Sequence, residues 1–233
     1  MNKISKARAT APGERLFIDT SGSYPRSMGG NTFWLKIVDD YSRKKLNFLM
    51  KKKSEVARNV INRIQQLRHA NKEVKYLRCN NAGEHRELIS CCERNNIVLE
   101  MTTPNTPQYN GFVERSFATE LNLIRAMLFQ SNFTPSMISA LWDMAVLYLE
   151  RTKNVSSTSA NENGKVQISY LMRDTDFIQS FGRMGFVTIR TKIKKKLVKR
   201  ERFMVEKPKH HSKDAYYMYN PNSKKVIVSR DIR

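Results

Sequence analysis

The sequence predicts a mixed α/β domain, a five-stranded sheet with flanking helices, followed by a small basic β module. Three observations predict it. Short β-patterned runs joined by tight turns open the chain. An amphipathic helical stretch then separates further β-patterned runs, and two long apolar helices follow. After residue 166 helical periodicity gives way to short strands among dense Lys and Arg.

Residues 1–14 are polar and basic, close on Pro12-Gly13, and read as a flexible lead-in. Residues 15–22 are the first strand, and a Pro- and Gly-containing hairpin loop leads to the second, residues 33–38. Asp39-Asp40-Tyr41-Ser42 turns the chain into the third strand, residues 45–50. Strands joined this tightly form an antiparallel meander.

Lys53-Ser54-Glu55 opens a helix, with Ser54 as the expected N-cap. Val56, Val60, Ile64 and Leu67 recur at helical spacing as a core-facing stripe. The fourth strand covers residues 74–79, so the helix before it implies a parallel crossover. A short helix over 85–95 and a fifth strand over 97–101 come next. Beyond a Pro- and Gly-rich loop, a helix runs from Phe112 to about Phe129, with Val113, Phe117, Leu121, Ile124 and Leu128 on one face. Glu114 borders that stripe. A second apolar helix covers 135–151, with Pro in its first turn.

These elements define a core over 15–151. Residues 152–165 have the composition of a linker, and 166–233 form the β module. Its strands are expected at 186–190, 203–205, 216–219 and 225–229.

The 233 residues carry 42 Lys+Arg against 21 Asp+Glu, a formal net charge of +21. With 40 % hydrophobic residues the chain can build a core, so the excess charge is not that of a disordered tail. A polyanionic partner is expected, DNA first and RNA second, because each phosphate neutralised releases counterions. Cys79, Cys91 and Cys92 form no disulfide framework and read as structural thiols of a reducing compartment. His69, His85, His210 and His211 show no zinc-site spacing. No apolar run reaches the ~18 residues of a membrane span, and no apolar signal core opens the chain. A nuclear or cytoplasmic protein, not a secreted or membrane one, is expected.

Three residues are candidates for chemistry. Asp19 is a lone acid inside the apolar first strand, Asn80 comes directly after the fourth strand, and Glu114 lies in the first turns of a helix. Taken singly, the two acids could equally be a solvent-facing strand acid and a helix N-terminal acid favoured by the dipole.

The local wording gives them a context. Ile37-Val38-Asp39-Asp40-Tyr41-Ser42-Arg43, Leu77-Arg78-Cys79-Asn80-Asn81-Ala82-Gly83-Glu84 and the run Thr106-Pro107-Gln108-Tyr109-Asn110-Gly111-Phe112-Val113-Glu114-Arg115 closely resemble the integrase core of copia-type LTR retrotransposons. Phe181-Gly182, the basic run and the segment from Tyr217-Met218-Tyr219-Asn220-Pro221 to Asp231 resemble the family's region C-terminal to that core. The resemblance covers about residues 11 to 233 and implies an RNase H-like fold. It implies a polynucleotidyl transferase in which two Mg²⁺ or Mn²⁺ ions clamp the attacking and leaving oxygens of a phosphodiester displacement, processing DNA and joining strands. Hard cations take hard oxygen ligands, so the family's trio is Asp, Asp and Glu. Carried over by position, the trio falls on Asp19, Asn80 and Glu114. The Asp39-Asp40 pair belongs to a turn of that family, outside the metal trio.

The departures are specific. The family's Ser-Asp-Asn-Gly-Gly-Glu turn here reads Cys79-Asn80-Asn81-Ala82-Gly83-Glu84, and the interval to Glu114 is about two residues short. An amide offers one neutral oxygen and no charge, so weakened metal binding and impaired strand transfer are expected. A non-catalytic nucleic-acid-binding remnant, or a co-opted copy, is the competing reading. By resemblance, Gln108 and Asn110 in the loop and Arg115 on the helix contact DNA. Ser116, Phe117 and Ala118 stand where the family carries further basic residues. No His and Cys spacing matches the zinc module that precedes this core in the family, which bears on homo-oligomer assembly. The run containing Lys194, Lys195, Lys196, Lys199 and Arg200 reads as a phosphate-binding strip, a nuclear-import signal or a solvated edge.

Overall fold

The computed structural model describes residues 8–80, 86–102, 111–131, 133–156, 180–186, 201–206 and 216–229. The first sheet has strands β1 (Arg15–Gly22), β2 (Phe33–Asp39), β3 (Lys45–Met50), β4 (Tyr76–Asn80) and β5 (Val98–Thr102), in the order β3-β2-β1-β4-β5. β1 to β3 are antiparallel, whereas β4 runs parallel to β1 and β5 parallel to β4. This is the mixed five-stranded sheet expected from the crossover. Helices α1 (Val56–His69), α2 (Arg86–Arg94), α3 (Gly111–Gln130) and α4 (Pro135–Val155) flank it.

Alternation along the strands builds two cores. Leu16, Ile18, Leu35, Ile37, Leu77 and Cys79 meet α1 and α2 on one face. Phe17, Trp34 and Val38 meet Val113, Phe117, Ile124 and Leu128 of α3 and Leu141, Trp142 and Ala145 of α4 on the other. Trp34 is fully buried, its ring edge-on to Phe117 at 4.8 Å. The three cysteines are buried free thiols, and burial pushes Cys79 up to about 12 and Cys92 up to about 11.

The second sheet orders β6 (Met184–Phe186), β7 (Glu201–Glu206), β8 (Tyr216–Asn220) and β9 (Lys225–Ser229) as an antiparallel meander. Phe181 and Tyr219 join the α3/α4 core, with Phe181 edge-on to Tyr148 at 5.5 Å.

Several bounds differ from the sequence reading. The helix expected to open at Lys53 begins as a short 3-10 turn, Lys53–Glu55, before α1. The N-cap position of α1 is Glu55 and not Ser54, and no side chain caps it. The Glu55 carboxylate instead reaches back across the 3-10 turn, its Oε1 accepting the backbone N–H groups of Lys51 at 3.1 Å and Lys52 at 2.8 Å. Residues 8–14 of the lead-in are tied to the β2–β3 turn. The Ala9 N–H donates to Asp40 Oδ2 at 2.8 Å and the Gly13 N–H to Asp39 Oδ1 at 3.0 Å.

α4 continues to Val155, into the stretch whose composition reads as linker. The cause is an edge strand. β3 ends the sheet, and such an edge leaves backbone groups to satisfy. Asn154 does so with its amide, accepting the Lys45 N–H at 3.0 Å and donating to the Lys45 carbonyl at 2.7 Å. Glu150 accepts the Asn47 N–H at 2.8 Å.

Candidate active site

The parallel pairing of β1 and β4 fixes the site. Ile18 pairs with Cys79, so position 80, the last of β4, comes next beside Asp19. On β4, Asn80 also pairs through its backbone with Thr102 of β5. Glu114 enters from the first turn of α3, whose Val113 and Phe117 pack on the same sheet face as Phe17. Strands alternate faces, so Asp19 shares the face of Phe17.

Asp19 and Glu114 are 95 positions apart in sequence, yet their charges interact. Burial first, and then the Glu114 carboxylate, push the Asp19 carboxyl up to about 6, although the Thr20 N–H bonds its Oδ1 at 2.9 Å. The positive charges of Lys36 and Lys53 work against that rise. Glu114 itself is exposed at the mouth of the site, although Val113 and Phe117 of the same helix are buried.

Lys36 is the cross-strand partner of Asp19 in the β1–β2 ladder and has no exposure. Its Nζ lies 2.9 Å from Glu120 and 3.2 Å from the Ser116 hydroxyl, and sits over the rings of Phe117 at 4.0 Å and Trp34 at 4.5 Å. Lys45 reaches the other oxygen of Glu120 at 2.7 Å. Burial pushes the Lys36 ammonium down to about 8 against the pull of Glu120. Burial also opposes the Glu120 charge, but Lys36 and Lys45 outweigh it and hold that carboxyl below its usual range. The pair is therefore ionised at neutral pH.

This cluster also explains the start of α3. Ser116 and Phe117 face inward, one bonded to Lys36 and Glu120, the other against Trp34. A basic residue at either position would have no solvent to reach. Arg115, the DNA-contact candidate, is exposed.

Asp39 and Asp40 lie at the other end of β1, where Asp39 pairs with Leu16. Asp40 bonds Arg43 at 3.0 Å and lies 3.6 Å from Arg15, and Asp39 bonds the Ser42 hydroxyl. Neither acid reaches the Asp19 site. Gln108, Asn110, Lys194, Lys195, Lys196, Lys199 and Arg200 lie outside the described residues.

Were the three carried-over positions to hold a hard divalent cation, they would suit one better than two. They would offer the carboxylates of Asp19 and Glu114, with an amide at position 80 of the chain. Among the described residues no cluster of three or more His, Cys, Asp or Glu side chains is placed to hold a metal. The fields of Lys36 and Lys53 at Asp19 further oppose a second cation.

Over 215 residues the chain is 29 % identical to the retrovirus-related Pol polyprotein from transposon TNT 1-94 of Nicotiana tabacum, and that match takes in 88 % of this chain. A chain in the cryo-EM structure of the simian T-cell lymphotropic virus intasome with PP2A regulatory subunit B56 gamma superposes with a TM-score of 0.54 at 13 % identity. That superposition covers 100 % of this chain and 82 % of that one. The chain has the RNase H-like fold of an integrase core. It spans 16 % of the length of the polyprotein it matches. The HTLV-2 integrase catalytic core domain solved with magnesium superposes at a TM-score of 0.46 and 19 % identity over 69 % of this chain and 97 % of that one. No family profile matches the chain. None of its helices, among the described residues, is long and apolar enough to cross a membrane.

Sequence reasoning missed Lys36, Glu120 and Lys45. Two signals were available. Lys36 is the lone charge in the apolar run 33–38, and Glu120 stands three residues after Phe117 and four before Ile124, on the core stripe of α3.

Proposed function

We propose that the chain is the integrase core of a copia-type LTR retrotransposon, derived for DNA integration and impaired at its metal site. The observation that carries this reading is the approach of Glu114 to Asp19 at the end of the sheet where β4 delivers position 80. The transposon polyprotein relative supports it.

Asp19, Glu114 and the Asn80 amide would hold Mg²⁺ or Mn²⁺. The chemistry supplied there would be polarisation of a phosphodiester oxygen and a lowered pKa of an attacking hydroxyl or water. The chain's own residues set the limits. Asp19, with its carboxyl up at about 6, must lose a proton before it can bind a cation. Asn80 brings no negative charge, so positive charge at the site is under-compensated. Lys36 and Lys53 place further positive potential on Asp19.

A second reading, a non-catalytic DNA- or RNA-binding protein, is favoured by the same Asn80, the net charge of +21 and the inward-facing Ser116 and Phe117 of α3. Oligonucleotide processing and strand transfer with Mg²⁺ and with Mn²⁺ separate the two. The full chain is expected to turn over little, and Asn80→Asp to raise turnover in a manner that Glu114→Gln abolishes. Robust turnover by the unaltered chain, abolished by Glu114→Gln, would contradict the impairment. An inert Asn80→Asp chain that still binds duplex DNA would favour the binding-only reading.

A further inference from the structure

The β1–β2 hairpin loop and the β3–α1 connection bring Arg26, Gly30, Lys51, Lys52 and Lys53 together beside the Asp19 site. Arg26, Lys51, Lys52 and Lys53 are exposed. Lys53 is close enough for its charge to act on Asp19.

The hairpin loop is rigidly placed. The Thr32 N–H donates to the Met50 carbonyl at 2.9 Å, and the Thr32 hydroxyl to the Lys51 carbonyl at 3.0 Å. On its other side the loop is bolted to α4. Asp143, buried, accepts from the Ser27 hydroxyl at 2.5 Å and from the Asn31 amide at 2.9 Å. The Met28 N–H donates to the Ala140 carbonyl at 2.8 Å, and the Trp142 indole N–H to the Pro25 carbonyl at 2.8 Å.

Gly30 lies beneath both Arg26 and Lys51. It has φ +80°, and a Cβ built there would lie 3.4 Å from Lys51 Cε and 3.6 Å from Arg26 Nε. The two cationic side chains therefore share the space above one glycine. Like charges that close repel unless an anion lies between them. Glu55, Asp143 and Glu120 are otherwise engaged. Glu55 caps the backbone of Lys51 and Lys52, Asp143 holds the loop, and Glu120 is taken by Lys36 and Lys45. Among the described residues no ion pair takes up Arg26, Lys51 or Lys52.

We infer that this lip, Arg26 and Lys51 over Gly30 with Lys52 and Lys53 beside it, holds the phosphodiester backbone of a nucleic acid next to the Asp19–Glu114 site. The inference rests on the nucleic-acid reading proposed above. A fixed row of cations flanking a reactive centre positions the strand; it does not read sequence.

The test is duplex DNA binding by the full chain, monitored by fluorescence anisotropy over a salt series. Arg26→Gln/Lys51→Gln is expected to lower the slope of log K against log salt by about 2, since each phosphate contact contributes about 0.9. Lys72→Gln/Arg94→Gln, which removes two exposed charges elsewhere, is expected to leave the slope unchanged. The conservative Arg26→Lys/Lys51→Arg chain is expected to keep the unaltered slope, which separates lost charge from lost fold. A chain that binds steeply but is indifferent to Arg26→Gln/Lys51→Gln overturns the lip and leaves the nucleic-acid reading standing. So does an equal drop with Lys72→Gln/Arg94→Gln. Absence of duplex binding by the unaltered chain overturns both.

Discussion

Lys36 and Glu120 form an ion pair of 2.9 Å on the sheet face that carries Asp19, and both are almost fully buried. Such a pair is weak evidence for stability as a unit but costly to break, because the surviving charge is left in the core. Glu120→Gln is therefore expected to destabilise the fold by about 3–5 kcal/mol in urea unfolding at pH 7. Lys36→Met/Glu120→Leu is expected to recover most of that loss. A double variant as unstable as Glu120→Gln would show that the cluster is held by packing and not by charge.

Asp19 makes stability depend on pH in metal-free buffer. Its carboxyl sits at about 6 in the fold against an ordinary 3.8, so between those values the folded chain keeps a proton that the unfolded chain has lost. Its stabilising contribution is complete below about pH 4 and is lost as pH rises through about 6. Asp19→Asn is expected to flatten this part of the curve and to be more stable than the unaltered chain at pH 7, by on the order of 1–3 kcal/mol. Parallel stability curves for the two chains between pH 4 and 6, each measured with chelator, would refute the burial of Asp19.

Asn154 closes the β3 edge with two hydrogen bonds to Lys45. Asn154→Ala is expected to cost about 1–3 kcal/mol, the range for buried polar groups left unmade. It should also speed hydrogen exchange of the Lys45 amide more than that of amides in β1. Unchanged exchange at Lys45 would show that the end of α4 is not what protects this edge.

The sheet was legible because its signals are local. Tight turns marked the meander, and the Val56, Val60, Ile64 and Leu67 stripe placed α1 between strands. The end of α4 was not legible. Asn154 and Glu150 are ordinary polar residues until β3 lies beside them, and only the fold supplies that neighbour. Ser54 does not cap α1 because it lies inside the 3-10 turn Lys53–Glu55, where the longer Glu55 side chain reaches back to the Lys51 and Lys52 N–H groups. At the site, the trio came from motif wording, whereas Lys36 and Glu120 broke the apolar pattern of their elements. A charge in the wrong place on each of two core-facing elements is a pairing signal, and the order of residues alone displays it.

The proposed impairment requires that the amide at position 80 leave Asp19 and Glu114 with too little negative charge for a pair of divalent cations. Calorimetric titration of Mn²⁺ into the unaltered chain and into Asn80→Asp tests it without catalysis. Weak binding of a single ion is expected for the unaltered chain, and at least about 10-fold tighter binding for Asn80→Asp. Two ions bound by the unaltered chain as tightly as by Asn80→Asp would contradict it.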